Sequence, residues 1–116
     1  MQVTMDALEA YLYRQYGDRA NEQGLFMKLV EEIGEVAEIL NKRTGRKAAD
    51  GADLQTELGK ELADVIHYAV AIAAVNNLNL SDIILSKDKQ ASIKYHHEIN
   101  LETFIQDIYQ QETPPV

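Results

Sequence analysis

Two stretches of this chain, KLVEEIGEVAEIL (28–40) and ELGKELADVIHYAVAIA (57–73), constrain its fold more than anything else in it. Both repeat apolar residues every three or four positions, the period of an amphipathic helix. Both also carry two acids spaced i, i+3: Glu32 with Glu35, and Glu61 with Asp64. That spacing projects the members of a pair from one side of a helix, about a turn apart. On a wheel of ~100° per residue, each apolar stripe centres roughly 80–90° to the same side of the first acid. Two helices of equal phase, packed seam to seam and antiparallel, bring both acidic edges to one side. A connection of about ten residues favours an antiparallel hairpin. At ~1.5 Å per residue, Glu35 and Glu61 both lie roughly 11–12 Å from the hairpin end. The spacing therefore predicts four carboxylates side by side.

Four converging acids repel unless a cation sits among them. Hard divalent ions such as Mg²⁺ and Mn²⁺ prefer all-oxygen donor sets of this kind. A lone E-x-x-E is most often a solvated helix face, and Glu31 and Glu38, which point away from the apolar stripe, read as one. Two such motifs in matching phase and level favour the metal reading.

The rest of the chain also reads as helix, which makes the fold class all-α. Thr4 is a candidate N-cap for a first helix to about Tyr16, with Met5, Leu8, Leu12 and Tyr16 inward. Gly17 to Gly24 reads as turn. The second helix runs from about Leu25 to Lys42, with Phe26, Leu29, Val30, Ile33, Val36, Ala37 and Leu40 as its core stripe and Gly45 as its stop. A linker over 46–53 includes Asp50-Gly51-Ala52-Asp53, whose spacing fails as a calcium loop. The third helix runs from about Leu54 to Asn76, with Leu58, Leu62, Val65, Ile66, Ala69 and Ala73 as its stripe. A fourth starts near Ser81 as N-cap and runs to about Tyr95. Asn100 caps a short last helix before a tail at 113–116. No sustained strand alternation appears.

The 116 residues suit a single domain. The net charge of −8 argues against nucleic acid or an anionic lipid surface as partner. The absence of cysteine excludes disulfides and thiolate metal sites and fits a reducing cytoplasm. No signal peptide is legible, and the nearly apolar run from Leu62 to Val75 is too short and too charged to span a membrane. Ala69 to Val75 is apolar on every side of the helix, so cover by a second subunit is expected. His67 reads as a satisfied, semi-buried group. Adjacent His96 and His97 read as surface residues on a helix.

The two acidic motifs in their helical frame resemble those of the MazG-like nucleoside triphosphate pyrophosphohydrolases. That family's pattern is E-x-x-E, a spacer, then E-x-x-D. In this chain it is Glu32-x-x-Glu35, 25 intervening residues (36–60), then Glu61-x-x-Asp64. The similarity covers about 25–95, with 98–112 as an extra C-terminal helix of one MazG-like domain over 1–116. The resemblance implies a four-helix-bundle-type fold assembled as a homodimer or homotetramer. It implies Mg²⁺, with Mn²⁺ as an alternative, held by Glu32, Glu35, Glu61 and Asp64. It implies hydrolysis of an NTP or dNTP to the monophosphate and pyrophosphate, a nucleotide-pool housecleaning role. Glu35 and Glu38 are the candidates for the proton-accepting acid, and Glu57 for an outer ligand contact.

Lys28, one turn before Glu32, is a candidate phosphate contact or an ion-pair partner of Glu32. Tyr68 follows Asp64 where related enzymes place an aromatic beside the nucleoside. Lys87 and Lys94-Tyr95 match the family's fourth helix, but Ala91 and Ile93 stand where an asparagine and an arginine are usual. That departure removes an amide able to read a base edge and a bidentate phosphate donor. It keeps open the alternative of a non-catalytic helical binding or regulatory module that retains the fold.

Overall fold

The computed structural model of the chain describes residues 1–45 and 53–112. Among these residues the structure is all-helical, with no strand. Five α-helices follow in order: α1 (Met5–Tyr16), α2 (Glu22–Arg43), α3 (Leu54–Val75), α4 (Leu80–Lys94) and α5 (Leu101–Glu112), with one turn of 3₁₀ helix at Arg19–Asn21 before α2. The linker and tail expected at 46–52 and 113–116 lie outside the described residues. The chain separates into two compact units, Met1–Leu78 with α1 to α3, and Asn79–Val116 with α4 and α5.

In the first unit α3 packs against both α1 and α2. Thr4 caps α1, its hydroxyl accepting from the Ala7 N–H at 3.1 Å. Leu12 is fully buried, and Met5, Leu8 and Tyr16 share its inward face. Gly17 ends the helix at φ 79°, a conformation that an L side chain rarely adopts.

Helix α2 starts at Glu22 rather than at Leu25. Gly24 falls within its first turn and costs only about 1 kcal/mol relative to alanine there. Glu22 favours the early start. It places a carboxylate at the positive end of the helix dipole and accepts a hydrogen bond from Asn76 Nδ2 at 3.0 Å. Because Asn76 caps the end of α3, this bond fixes the two helices as antiparallel. Asp53 starts α3, accepting from the Thr56 N–H and hydroxyl at 3.1 and 2.6 Å. These bonds hold its carboxyl below the usual carboxylate range.

The seam differs from the expected one. Between its two ends the buried or half-buried positions on α2 are Leu25, Leu29, Glu32, Val36 and Ile39, with Glu22, Asn41 and Lys42 half-buried at the ends. On α3 they include Leu54, Leu58, Glu61, Val65, Tyr68 and Ile72. Both runs step by four and three, the spacing of a coiled-coil seam, and both place an acid where the pattern calls for an apolar residue. Much of the expected core stripe is instead exposed: Phe26 (49%), Val30, Ile33 (51%), Ala37 and Leu40 on α2, and Leu62, Ile66 (52%) and Ala69 on α3. The apolar arc of each helix is wide enough for two stripes, and its centre misreports which one faces the neighbour.

The all-round apolar stretch of α3 needs less outside cover than expected. Val70, Ala71, Ala73, Ala74 and Val75 are already buried within the chain, because alanine side chains need little covering. Asn77 at φ 56° and the Leu78 N–H bonded to the Ala73 carbonyl close α3 in a Schellman turn.

In the second unit Asn79, not Ser81, caps α4, accepting from the Asp82 N–H at 3.1 Å. Asparagine ranks with serine as an N-cap, and its extended backbone starts the helix earlier. Helix α4 ends at Lys94. His96 takes φ 56° and the His97 N–H bonds to the Ser92 carbonyl, so the two histidines form the closing turn rather than a helical face. Asn100 caps α5 through the Thr103 N–H, as expected, and the Leu101 N–H donates to Asp88 on α4 at 2.6 Å. No single helix among the described residues is long and apolar enough to cross a membrane.

Candidate metal centre

Glu32 and Glu61 enter the α2–α3 seam because each continues the four-and-three spacing of its helix. Their carboxylates meet there, and Asp64 joins them from one turn further along α3. One oxygen from each of Glu32, Glu61 and Asp64 lies within 4.8 Å of the others. Glu32 Oε2 and Glu61 Oε2 are shut off from water and have no hydrogen-bond partner. Buried polar atoms are rarely left so, and two facing acceptors cannot satisfy each other while ionised.

The electrostatics carry the same strain. Glu61 is pushed up to about 7, first by Glu32, whose carboxylate accepts a hydrogen bond from the protonated form, then by Glu35 in the same way. Desolvation and the charges of Glu35 and Glu32 add to the rise. Glu35 thus lies close to Glu61, although the tight trio is Glu32, Glu61 and Asp64. A divalent cation among these oxygens would supply the missing partner and remove the repulsion. The donor set fits a hard ion.

Glu35 and Glu38 line an open hollow of about 380 Å³ next to the trio, with Ile39 and Lys42 from α2 and Glu57, Lys60 and Glu61 from α3. Glu57 is therefore on the hairpin-end side of the acids. Tyr68 is half-buried one turn beyond Asp64 on the other side, its ring edge-on to His67 at 4.8 Å. His67 shares a 2.7 Å hydrogen bond with the Tyr16 hydroxyl, which satisfies the imidazole as expected. Burial, then the neighbouring Tyr68 and Tyr11, push the Tyr16 phenol up, so it stays protonated.

Lys28 does not pair with Glu32. Its ammonium lies 3.4 Å from Glu31 on the exposed side of α2, and that carboxylate raises its pKa. Lys87 and Lys94 belong to α4, in the other unit, where the Lys94 ammonium lies 5.3 Å from the centre of the Tyr95 ring. Sequence reasoning missed the placing of Lys42 and Lys60 beside the acids. The signal was present, since Lys60 directly precedes Glu61 and Lys42 lies one turn beyond Glu38.

An acid trio set into an antiparallel helical seam, two of its oxygens unpartnered, is a donor set that a hard divalent ion would suit. The chain is a member of the MazG family: the MazG nucleotide pyrophosphohydrolase domain matches residues 20–97. The crystal structure of iMazG from Vibrio DAT 722 is similar, with a TM-score of 0.60 and 25% sequence identity over 80% of this chain and 98% of that one. No curated protein matches the sequence.

Proposed function

We propose that the chain is an oligomeric, Mg²⁺-dependent nucleotide pyrophosphohydrolase, cleaving an NTP or dNTP to its monophosphate and pyrophosphate in a cytoplasmic housecleaning role. The observation that carries this reading is the pair of buried, unpartnered oxygens on Glu32 and Glu61, with Asp64 beside them. Family membership names the reaction class.

Glu32, Glu61 and Asp64 would hold the ion, with Glu35 completing the set, and Mn²⁺ would also suit these oxygens. The ion, when bound, supplies charge neutralisation and Lewis-acid polarisation of a phosphoryl oxygen. Glu35 or Glu38, on the same edge and in the adjoining hollow, takes a proton from the attacking water. Tyr68 offers a ring to the nucleoside, while Lys87 and Lys94 are the α4 candidates for phosphate. Lys28, tied to Glu31, ranks below them. Ala91 and Ile93 supply no base-reading amide or guanidinium, so base recognition falls to other groups.

The exposed apolar stripe supports assembly as a homodimer or homotetramer. Phe26, Val30, Ile33 and Leu40 of α2 and Leu62 and Ile66 of α3 form stripes that equal phase and antiparallel packing set on one side of the hairpin, opposite the acids.

Pyrophosphate release from a panel of NTPs and dNTPs with Mg²⁺ or Mn²⁺, beside a Glu61→Ala control, tests the proposal. Release that vanishes in the control is the expected result. Ile93, 71% exposed where the family pattern has a polar group, favours a non-catalytic module as second reading. Absence of release from every nucleotide, with no melting shift requiring both metal and triphosphate, would make that module the leading reading or point to a modified nucleotide outside the panel.

A further inference from the structure

The acid trio divides the hairpin edge into two unlike ends. Along α3 the order is Lys60, Glu61, Asp64, Tyr68. On the Tyr68 side lie aromatic rings, Tyr68 edge-on to His67 and Tyr16 bonded to His67. On the Lys60 side lies the hollow, whose lining is charged except for Ile39. A nucleoside base needs an aromatic or apolar face. The hollow provides no aromatic ring and only Ile39 as an apolar side chain, but it has one lysine from each of the two facing helices.

We infer that this hollow, between Lys42 and Lys60, receives the terminal phosphates of the substrate, so that pyrophosphate leaves toward the hairpin end of α2 and α3. The inference rests on the hydrolytic function proposed for the acid trio and adds a direction to it. In the reaction a water oxygen bonds to the α-phosphorus on the face away from the hollow and gives its proton to a carboxylate at the level of the trio, Glu35 beside Glu61 being the nearer candidate. The bond from that phosphorus to the α,β-bridging oxygen breaks. The electron pair leaves on that oxygen, within pyrophosphate. Lys42 and Lys60 offset the charge on this leaving group with charge-assisted hydrogen bonds.

The hollow also carries Glu35, Glu38, Glu57 and Glu61, so its acids outnumber its two lysines. An anion therefore enters only when a cation has claimed the inner acids. This makes pyrophosphate binding strictly metal-dependent. Among the described residues Lys60 has no ion-pair partner, which leaves its ammonium for a ligand.

The test compares product inhibition of the wild type with that of K42Q, K60Q and the double variant, in Mg²⁺. The expected result is that the inhibition constant for inorganic pyrophosphate rises roughly tenfold for each lysine removed, in line with a lost charge-assisted bond. The constant for the nucleoside monophosphate product stays unchanged. Unchanged pyrophosphate inhibition, or an equal rise for both products, overturns the inference while hydrolysis itself stands. Should the double variant fail to fold by circular dichroism, K60Q alone decides, since Lys60 is exposed on its helix. A wild type that neither hydrolyses triphosphates nor binds pyrophosphate with Mg²⁺ overturns the hydrolytic function, and the inference falls with it.

Discussion

The two sides of the α2–α3 hairpin are unfavourable in opposite ways. One side presses like charges together and leaves two carboxylate oxygens dry and unpartnered. The other holds Phe26, Val30, Ile33, Leu62 and Ile66 about half in water. Neither arrangement is what an isolated chain would choose for its own stability. Under the proposed function each would become favourable with a companion: a cation on the acidic side, a second copy of the chain on the apolar side. An acid in a seam and a leucine in solvent are the same kind of evidence, each marking a surface left unfavourable within the chain itself.

The largest effect is expected at the acids. Glu61→Ala should lower Mg²⁺-supported pyrophosphate release roughly a thousandfold or more, since a bound ion supplies several kcal/mol of transition-state stabilisation. It should also abolish the Mg²⁺-dependent rise in melting temperature. Release surviving in that variant would remove the trio from the chemistry. Next in size, Glu35→Gln should cut kcat by about 10²- to 10⁴-fold, the usual contribution of a general base, while the melting shift with Mg²⁺ persists. Retained turnover would leave Glu38 as the proton acceptor.

On the apolar side, Ile33→Asp combined with Ile66→Asp should convert the assembly to monomer in sedimentation velocity. Each side chain contributes about 1.5–3 kcal/mol when fully buried at an interface. A wild type already monomeric at high micromolar concentration would end the symmetry between the two sides.

A pH series sharpens the acidic side further. The folded Glu61 carboxyl, raised to about 7 from an ordinary 4.5, binds its proton more tightly than the unfolded chain does. Its contribution to stability is therefore fully present below about 4.5 and is lost as pH rises through about 7. Metal-free protein should melt at progressively lower temperature over that window. Glu61→Gln should flatten the slope, and Mg²⁺ should reverse it. A melting temperature that does not move with pH in chelator would mean that the carboxylates are not in conflict. The smallest effect is expected away from both sides: Tyr16→Phe removes the hydroxyl shared with His67 and should cost about 1 kcal/mol in urea unfolding.

Helical class, antiparallel pairing and the meeting of the acids were legible because each follows from period, loop length and phase. The seam itself was less so. Leu25, Leu29, Glu32, Val36 and Ile39 keep a strict four-and-three spacing, but an acid at the centre of such a run pulls the apparent stripe toward Val30 and Ile33. The stripe average then describes the face left exposed rather than the face turned inward. Local capping could be read in part. Thr4 and Asn100 act as expected, whereas Ser81 lost to Asn79 because two good caps stood two residues apart. Spacing alone puts Lys42 a turn beyond Glu38 and Lys60 next to Glu61, but that the two lysines share one hollow depends on the packing of two helices.

The bond from the Leu101 N–H to Asp88 has a consequence for the C-terminal region. Asn100 serves the Thr103 N–H, so the first amide of α5 depends on a residue 13 positions back, on α4. Exchange of that amide with solvent deuterium requires the Asp88 contact to be lost, so it is expected to be slower than at a helix end that frays freely. The Leu101 amide is thus a built-in reporter of the contact between these two helices, and Asp88 sets the threshold at which it reports.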